Sequence, residues 1–199
     1  MKQEIQIDQA PIVLASKSPR RKALLEQSGL TVKILVPDID ESSLPLSRPR
    51  DYVRELSRLK AEQIARLRPD VWVIGADTIV VKDEAIFGKP RSRQEAEQML
   101  NTLNNSAHSV FTGFTVCCHA RGKSISNAVE TQVFFKHLSP REIQWYAATD
   151  EPYDKAGAYG IQGIGSFMVP RIVGSYSNVV GLPMCELMET LLDLEIIKF

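Results

Sequence analysis

The chain has 199 residues, 44% hydrophobic and 24% charged, with 24 Lys and Arg balancing 24 Asp and Glu. That length and composition sustain a well-buried core and room for two lobes, while the zero net charge argues against a surface built to wrap nucleic acid. The polar start MKQEIQIDQA and the absence of any apolar run near ~20 residues argue against a secretory signal or membrane span, and three cysteines without metal-ligand spacing (Cys117, Cys118, Cys185) fit a reducing, cytoplasmic compartment.

Ile12 to Ala15 (IVLA) reads as a short buried strand running into the turn SKSP. Pro19 suits the first turn of a helix through RRKALLEQS, which Gly29 closes. Val32 to Val36 reads as a second strand, ending at Pro37 and the acidic patch of Asp38, Asp40 and Glu41. From about Pro49 to Leu67, Tyr52, Val53, Leu56, Leu59 and Ile64 recur near helical spacing. The run VWVIGADTIVV, residues 71–81, reads as a buried strand broken at Gly75-Ala76 to present one carboxylate, Asp77.

A turn at Lys82-Asp83 and the loop FGKP come next. Ser92 with Glu95 predicts a capping box ahead of QMLNTL. Residues 109–118 and about 124–135 read as two strands joined near Arg121-Gly122. Ser139 with Glu142 forms a second capping box, heading EIQWYAA. The glycine-rich stretch DKAGAYGIQGIGS comes after it, then FMVPRIVGSYSNVVGLP, then an amphipathic helix from about Pro183 to Leu194. Strands alternating with helices predict an α/β domain over residues 1–199, and the hairpin at 109–135 makes its sheet mixed.

An ionised carboxylate in a dry core costs several kcal/mol unless it is paired, metal-bound or exposed in a cleft. Asp77 therefore needs cations, and Arg20, Arg21, Lys60 and Lys89 are the candidates. The motif SKSPRR brings a strand into a serine-rich turn and then a helix start, where free N–H groups and arginine forks suit an anion. Two arginines are unfavourable beside the positive end of a helix dipole, which makes sense if an anion lies between them; the alternative is two solvated side chains. Asp38, Asp40, Glu41 and Asp77 offer oxygen ligands of the kind that bridge Mg²⁺ or Mn²⁺ to substrate phosphates. Lys89, between Gly88 and Pro90, is a restrained point charge.

The four glycines around DKAGAYGIQG allow close backbone approach to a ligand. Tyr159 could wall off a ring there, and Gln162 could read the edge of a base. His108, His119 and His137 are scattered and read as surface or strand-end residues. There is no Walker loop and no G-x-S-x-G elbow.

In order along the chain, LASKSPRR, DIDE, LKA, GADT, GKP, DKAGAYGIQG and GSYSNVVGLP resemble the Maf family of nucleoside triphosphate pyrophosphatases, from Leu14 to Pro183. The resemblance implies a mixed β-sheet flanked by helices, of the inosine-triphosphate-pyrophosphatase-like type, with two lobes and a central cleft. It implies hydrolysis of a nucleoside triphosphate to monophosphate and pyrophosphate, dependent on a divalent cation (Mg²⁺ or Mn²⁺), and a homodimer as the family expectation. Matched by position, Asp77 is the proton acceptor, with Glu41, Lys60 and Lys89 in the catalytic set. Asp77 and Glu41 are the metal-side acids, and Ser16, Arg20 and Arg21 form the phosphate-side turn.

Three positions separate the family's substrate branches, here Arg20, Thr78 and Gln162. This combination resembles the branch hydrolysing dTTP and UTP, whereas the 7-methyl-GTP branch tends to carry Trp, Gln and Glu. Ser57 and Met184 depart from the commoner Ala and Leu. Two other readings stay open: a nucleotide-binding regulator of cell division and septum formation, and a 7-methyl-GTP-directed or other purine-directed enzyme.

Overall fold

The computed structural model describes residues 6–7, 11–41, 44 and 47–198. In chain order the elements are β1 (Gln6–Ile7), β2 (Ile12–Ala15), α1 (Pro19–Gln27), β3 (Val32–Ile34), α2 (Pro49–Leu67), β4 (Trp72–Lys82) and β5 (Ala85–Phe87). They continue with α3 (Arg93–Leu103), β6 (Ala107–Cys118), β7 (Lys123–Phe134) and α4 (Pro140–Ala147). Three short 3₁₀ turns come next (Glu151–Asp154, Ala156–Ala158 and Gly163–Met168), then β8 (Arg171–Val173), α5 (Tyr176–Val180), α6 (Met184–Asp193) and β9 (Ile197–Lys198). No helix among the described residues is long and apolar enough to cross a membrane.

The main sheet has the order β3-β2-β4-β6-β7-β8, with β5 added to β4. Strand β2 runs parallel to both β3 and β4, whereas β5 and β8 are antiparallel to their partners. The expected mixed α/β sheet is therefore present. The described residues divide into two compact units. One gathers the chain up to Asp77, Thr112–Val129 and the segment from Gly181; the other holds Thr78–Phe111 and Glu130–Val180.

In the first unit, α2 lays Ala61, Ile64 and Ala65 against Val13 and Ala15 of β2, Val71, Val73 of β4 and Cys117 of β6. The bounds of α2 are those the apolar spacing predicts. Strand β4 is not broken at Gly75: it continues through Asp77 to Lys82. A methyl group at Gly75 would collide with the Ser57 carbonyl and lie 2.8 Å from the Ala61 amide, so glycine there lets α2 sit flush on the strand. Gly113 does the same work on β6, where a Cβ would meet the Val53 carbonyl. Ser57 fills its buried site by bonding the Arg54 carbonyl at 2.7 Å and the Thr115 hydroxyl at 2.9 Å. Cys117 and Cys118 are buried and unbridged, and burial pushes the Cys117 thiol up to about 12.

In the second unit, Ala96, Leu100 and Leu103 of α3 pack with Val110, Val133, Phe135, Ile143 and Tyr146. The Ser139–Glu142 capping box is reciprocal, with Glu142 accepting the Ser139 amide at 2.7 Å. At α3 the box is only half made. Ser92 accepts the Glu95 amide at 3.1 Å, but the Glu95 carboxylate reaches past it to the Arg91 amide at 2.7 Å.

Two expectations for this unit need adjustment. His108 is a strand-end residue, the second of β6, but at 4% exposed it is not on the surface, and its Nε2 is bonded to the Tyr159 hydroxyl at 2.7 Å. Tyr159 is itself buried in an edge-to-face cluster with His108 and Phe135, so it is a core residue and not the wall of a ligand site.

Candidate active site

Strand β4 and helix α2 bring the first group together. Asp77, with its side chain 11% exposed, receives a hydrogen bond from Lys60 Nζ at 2.6 Å, and the same ammonium lies 2.6 Å from Glu41. Lys60 thus bridges a buried acid and a half-exposed one. Burial raises the Asp77 carboxyl above the ordinary aspartate value; the charges of Lys60 and Arg21 oppose that rise, and Glu41 adds to it. The outcome is a carboxylate with more basic character than a solvated aspartate.

The acidic loop that leads to Glu41 is docked by a residue that sequence patterning passes over. The Gln63 side chain accepts the Asp38 amide at 2.7 Å and donates to the Asp38 carbonyl at 2.8 Å. This pair docks the acidic loop on α2 one turn beyond Lys60. Asp38 thus contributes its backbone to the site. Tyr52, on the same helix, lies within the field of the site: burial raises its phenol first, and the negative charges of Asp77 and Glu41 raise it further.

The SKSPRR turn is built differently from an open anion cradle. Ser18 caps α1. Ser16 Oγ accepts from the Ser18 amide at 3.2 Å and from Arg21 Nη1 at 3.2 Å. Arg21 also donates from Nη1 to the Ala76 carbonyl at 2.7 Å and from Nε to the Gly181 carbonyl at 2.8 Å. One guanidinium therefore ties together the turn after β2, the residue preceding Asp77 and the segment leading into α6. Burial draws its pKa below the ordinary arginine value, an effect that Asp77 opposes. Arg20 stands beside it in the first turn of α1, partly exposed.

The remaining candidates, Thr78, Lys89 and Gln162, belong to the second unit. Lys89 is exposed, and its loop is pinned where the Gly157 amide bonds the Gly88 carbonyl at 3.0 Å. Gln162 is exposed, between Gly160 and Gly163. The glycines around it leave room for the protein's own side chains. A Cβ at Gly160 would lie 2.7 Å from Lys155 Cε, one at Gly163 2.6 Å from Glu151 Oε2, and one at Gly165 2.8 Å from the Tyr146 hydroxyl. Among the described residues no three His, Cys, Asp or Glu side chains cluster as a metal site.

Solved structures of the same fold place the chain in a class. The HAM1 protein from Coxiella burnetii superposes with a TM-score of 0.53 at 13% identity, covering 93% of this chain and 99% of that one. The Staphylococcus aureus Ham1 protein gives a TM-score of 0.50 at 14% identity over 93% of this chain and 99% of its own. Within that fold the sequence is more specific: residues 11–194 match the family described as Maf-like protein, and the chain belongs to it.

Relatives of known name agree. The dTTP/UTP pyrophosphatase of Syntrophotalea carbinolica is 50% identical over 183 residues, 90% of this chain and 83% of that protein. The protein of the same name from Geotalea uraniireducens is 50% identical over 90% of this chain and 93% of its own. That of Desulfotalea psychrophila is 46% identical over 94% and 96%.

Proposed function

We propose that this chain is a nucleoside triphosphate pyrophosphatase that hydrolyses dTTP and UTP, releasing the monophosphate and pyrophosphate in a house-cleaning role. The observation that carries the reading is the buried Asp77 carboxylate, raised above its ordinary pKa and held by Lys60 at 2.6 Å. Relatives near 50% identity named dTTP/UTP pyrophosphatase supply the substrate class.

Asp77 and Glu41 are an oxygen-only pair, which suits a hard Mg²⁺ or Mn²⁺ ion that takes one or two carboxylates and completes its shell with substrate phosphates. When bound, such an ion neutralises charge on the triphosphate oxygens. Asp77 accepts the proton of the water that attacks the α-phosphorus. The bond from that phosphorus to the bridging oxygen breaks, and pyrophosphate leaves with the electron pair. Lys60 keeps the Asp77 carboxylate oriented, and Lys89 and Arg20 offset charge on the phosphate oxygens. Arg21 with Ser16 holds the backbone at Ala76. Phosphoryl transfer of this kind depends on positioning and electrostatics. Thr78, Gln162 and Arg20 select the base and its triphosphate.

The test is pyrophosphate release from dTTP, UTP, 5-methyl-UTP, 7-methyl-GTP and ITP, with and without Mg²⁺ or Mn²⁺. The pyrimidine triphosphates should lead, and Asp77→Asn should lose about 10²–10³-fold in rate while remaining folded. Preference for 7-methyl-GTP overturns the role given to Arg20, Thr78 and Gln162. Wild-type turnover by Asp77→Asn overturns the role of Asp77, and tight nucleotide binding without release leaves a regulator instead of an enzyme.

A further inference from the structure

The loop that carries Gln162 is held at both ends by one pair of side chains, the buried Tyr146 and the half-buried Glu151. The Gly160 amide donates to the Tyr146 hydroxyl at 3.2 Å, and that hydroxyl donates to Glu151 Oε1 at 3.0 Å. On the other side of Gln162, the Glu151 carboxylate accepts the Ile164 amide through Oε2 and the Gly165 amide through Oε1, each at 2.8 Å. Only residues 161–163 lie between these ties, and Gln162 is the exposed middle one. The geometry points to Glu151, together with Tyr146, as a positioning residue for base recognition, fixing the backbone from which Gln162 is presented. This rests on the reading that Gln162 faces the base of the substrate.

Three features make the clamp more than an ordinary loop contact. A carboxylate that accepts two backbone amides and a phenol at once makes charge-assisted bonds, about twice as strong as neutral ones. Burial, with the neighbouring Glu151 charge, pushes the Tyr146 phenol well above its ordinary pKa, so it stays protonated and keeps donating. The glycines at 163 and 165 leave room for the carboxylate and the phenol, and Gly163 holds a φ of +72° that side chains rarely adopt. A base contact made from so short a loop inherits its placement from these ties. A shift of about 1 Å there is felt in how substrate is held.

Glu151→Gln keeps the size of the side chain but turns one oxygen into a donor facing a backbone N–H or the phenol, which breaks the clamp on one side. Tyr146→Phe keeps the ring in the core and removes the link to Gly160. Each change should raise KM for dTTP and UTP about tenfold, the cost of one misplaced hydrogen bond, with kcat changed less than KM. Selectivity for dTTP over ITP should fall in parallel. A double-mutant cycle with Gln162→Ala gives the sharper answer. If Glu151 acts through Gln162, Glu151→Gln has little further effect on selectivity once Gln162 is gone.

Amide exchange of residues 160–165, read on the intact protein without nucleotide, should speed up in both clamp variants. Unchanged exchange together with unchanged KM, or losses that simply add in the cycle, overturns the proposal. If the wild-type protein releases no pyrophosphate from any triphosphate, the assigned function fails. Unchanged exchange in the clamp variants then separately rejects the clamp.

Discussion

Lys60 stands between two carboxylates at 2.6 Å from each, and it is the one whose attachment decides how Asp77 behaves. Lys60→Met leaves Asp77 buried without the ammonium that opposes its desolvation. Removing one partner of a buried pair typically costs about 3–5 kcal/mol; with Arg21 still nearby, roughly 3 kcal/mol at neutral pH is expected. The sign with pH is set by Asp77 itself. Its folded-state pKa is already above the unfolded value, and Lys60→Met raises it further. The folded state then binds its proton more readily than the unfolded chain, so the variant loses stability as pH rises through the raised value. Urea unfolding of wild type and variant should show a gap that narrows toward acid pH. A gap that widens there contradicts the assigned pairing. In turnover, the acid limb of the variant's pH–rate profile should move upward for whatever activity remains.

At the scale of elements, the site depends on how closely α2 lies on β4, because Lys60 comes from one and Asp77 from the other. Gly75 makes that approach possible. Gly75→Ala forces the helix and strand apart, an overpacking cost of about 1–3 kcal/mol. The larger effect should be on kcat, which ought to fall beyond the fraction of protein lost to unfolding; an active-site-titrated rate per folded molecule separates the two. A variant as active per folded molecule as wild type would mean that the Lys60–Asp77 geometry tolerates the shift.

The same glycine shows where sequence reading reaches its limit. The span of α2, the caps at Ser92 and Ser139 and an acid inside an apolar strand are local patterns, and they are legible. Gly75 reads locally as a break, yet its cause lies in another element packed against it. The turn at Lys82-Asp83 is legible, and the chain does turn on Asp83 and Glu84 at φ of 48° and 66°. Strand β5 behind it escapes because its three residues, Ala85–Phe87, are too few to show an alternating pattern. Glu151, Tyr146 and Gln63 carry no motif, since each matters through partners that the fold brings to it, backbone amides and carbonyls and, for Tyr146 and Glu151, each other.

For the molecule as a whole, acid stability should bear the mark of one histidine. His108 is buried with its pKa lowered to about 4, chiefly by desolvation and secondarily by Lys82. The unfolded chain takes up that proton near the ordinary value of ~6.5, the folded one only near 4. Between those pH values the unfolded state binds more protons, so stability falls as pH drops through the window, by roughly 3 kcal/mol across it. Above the window His108 is neutral in both states, and its titration no longer changes stability. His108→Gln should flatten this part of the stability–pH curve, as measured by denaturant midpoints at pH 4.5, 5.5 and 7; an unaltered slope would place the proton elsewhere.

Neither compact unit is a continuous stretch of chain. The unit holding Asp77, Lys60 and Glu41 also needs the segment that starts at Gly181, since Arg21 is tied to the Gly181 carbonyl and β1 pairs with β9. During synthesis the ribosome delivers Asp77 long before residue 181. The acid therefore waits, with Arg21 still lacking one of its anchors, while the other unit is made in between. Catalytic competence should emerge late in translation and as a single event, and a nascent chain stalled before residue 181 should hold every acid and lysine of the Asp77 cluster and still be inert.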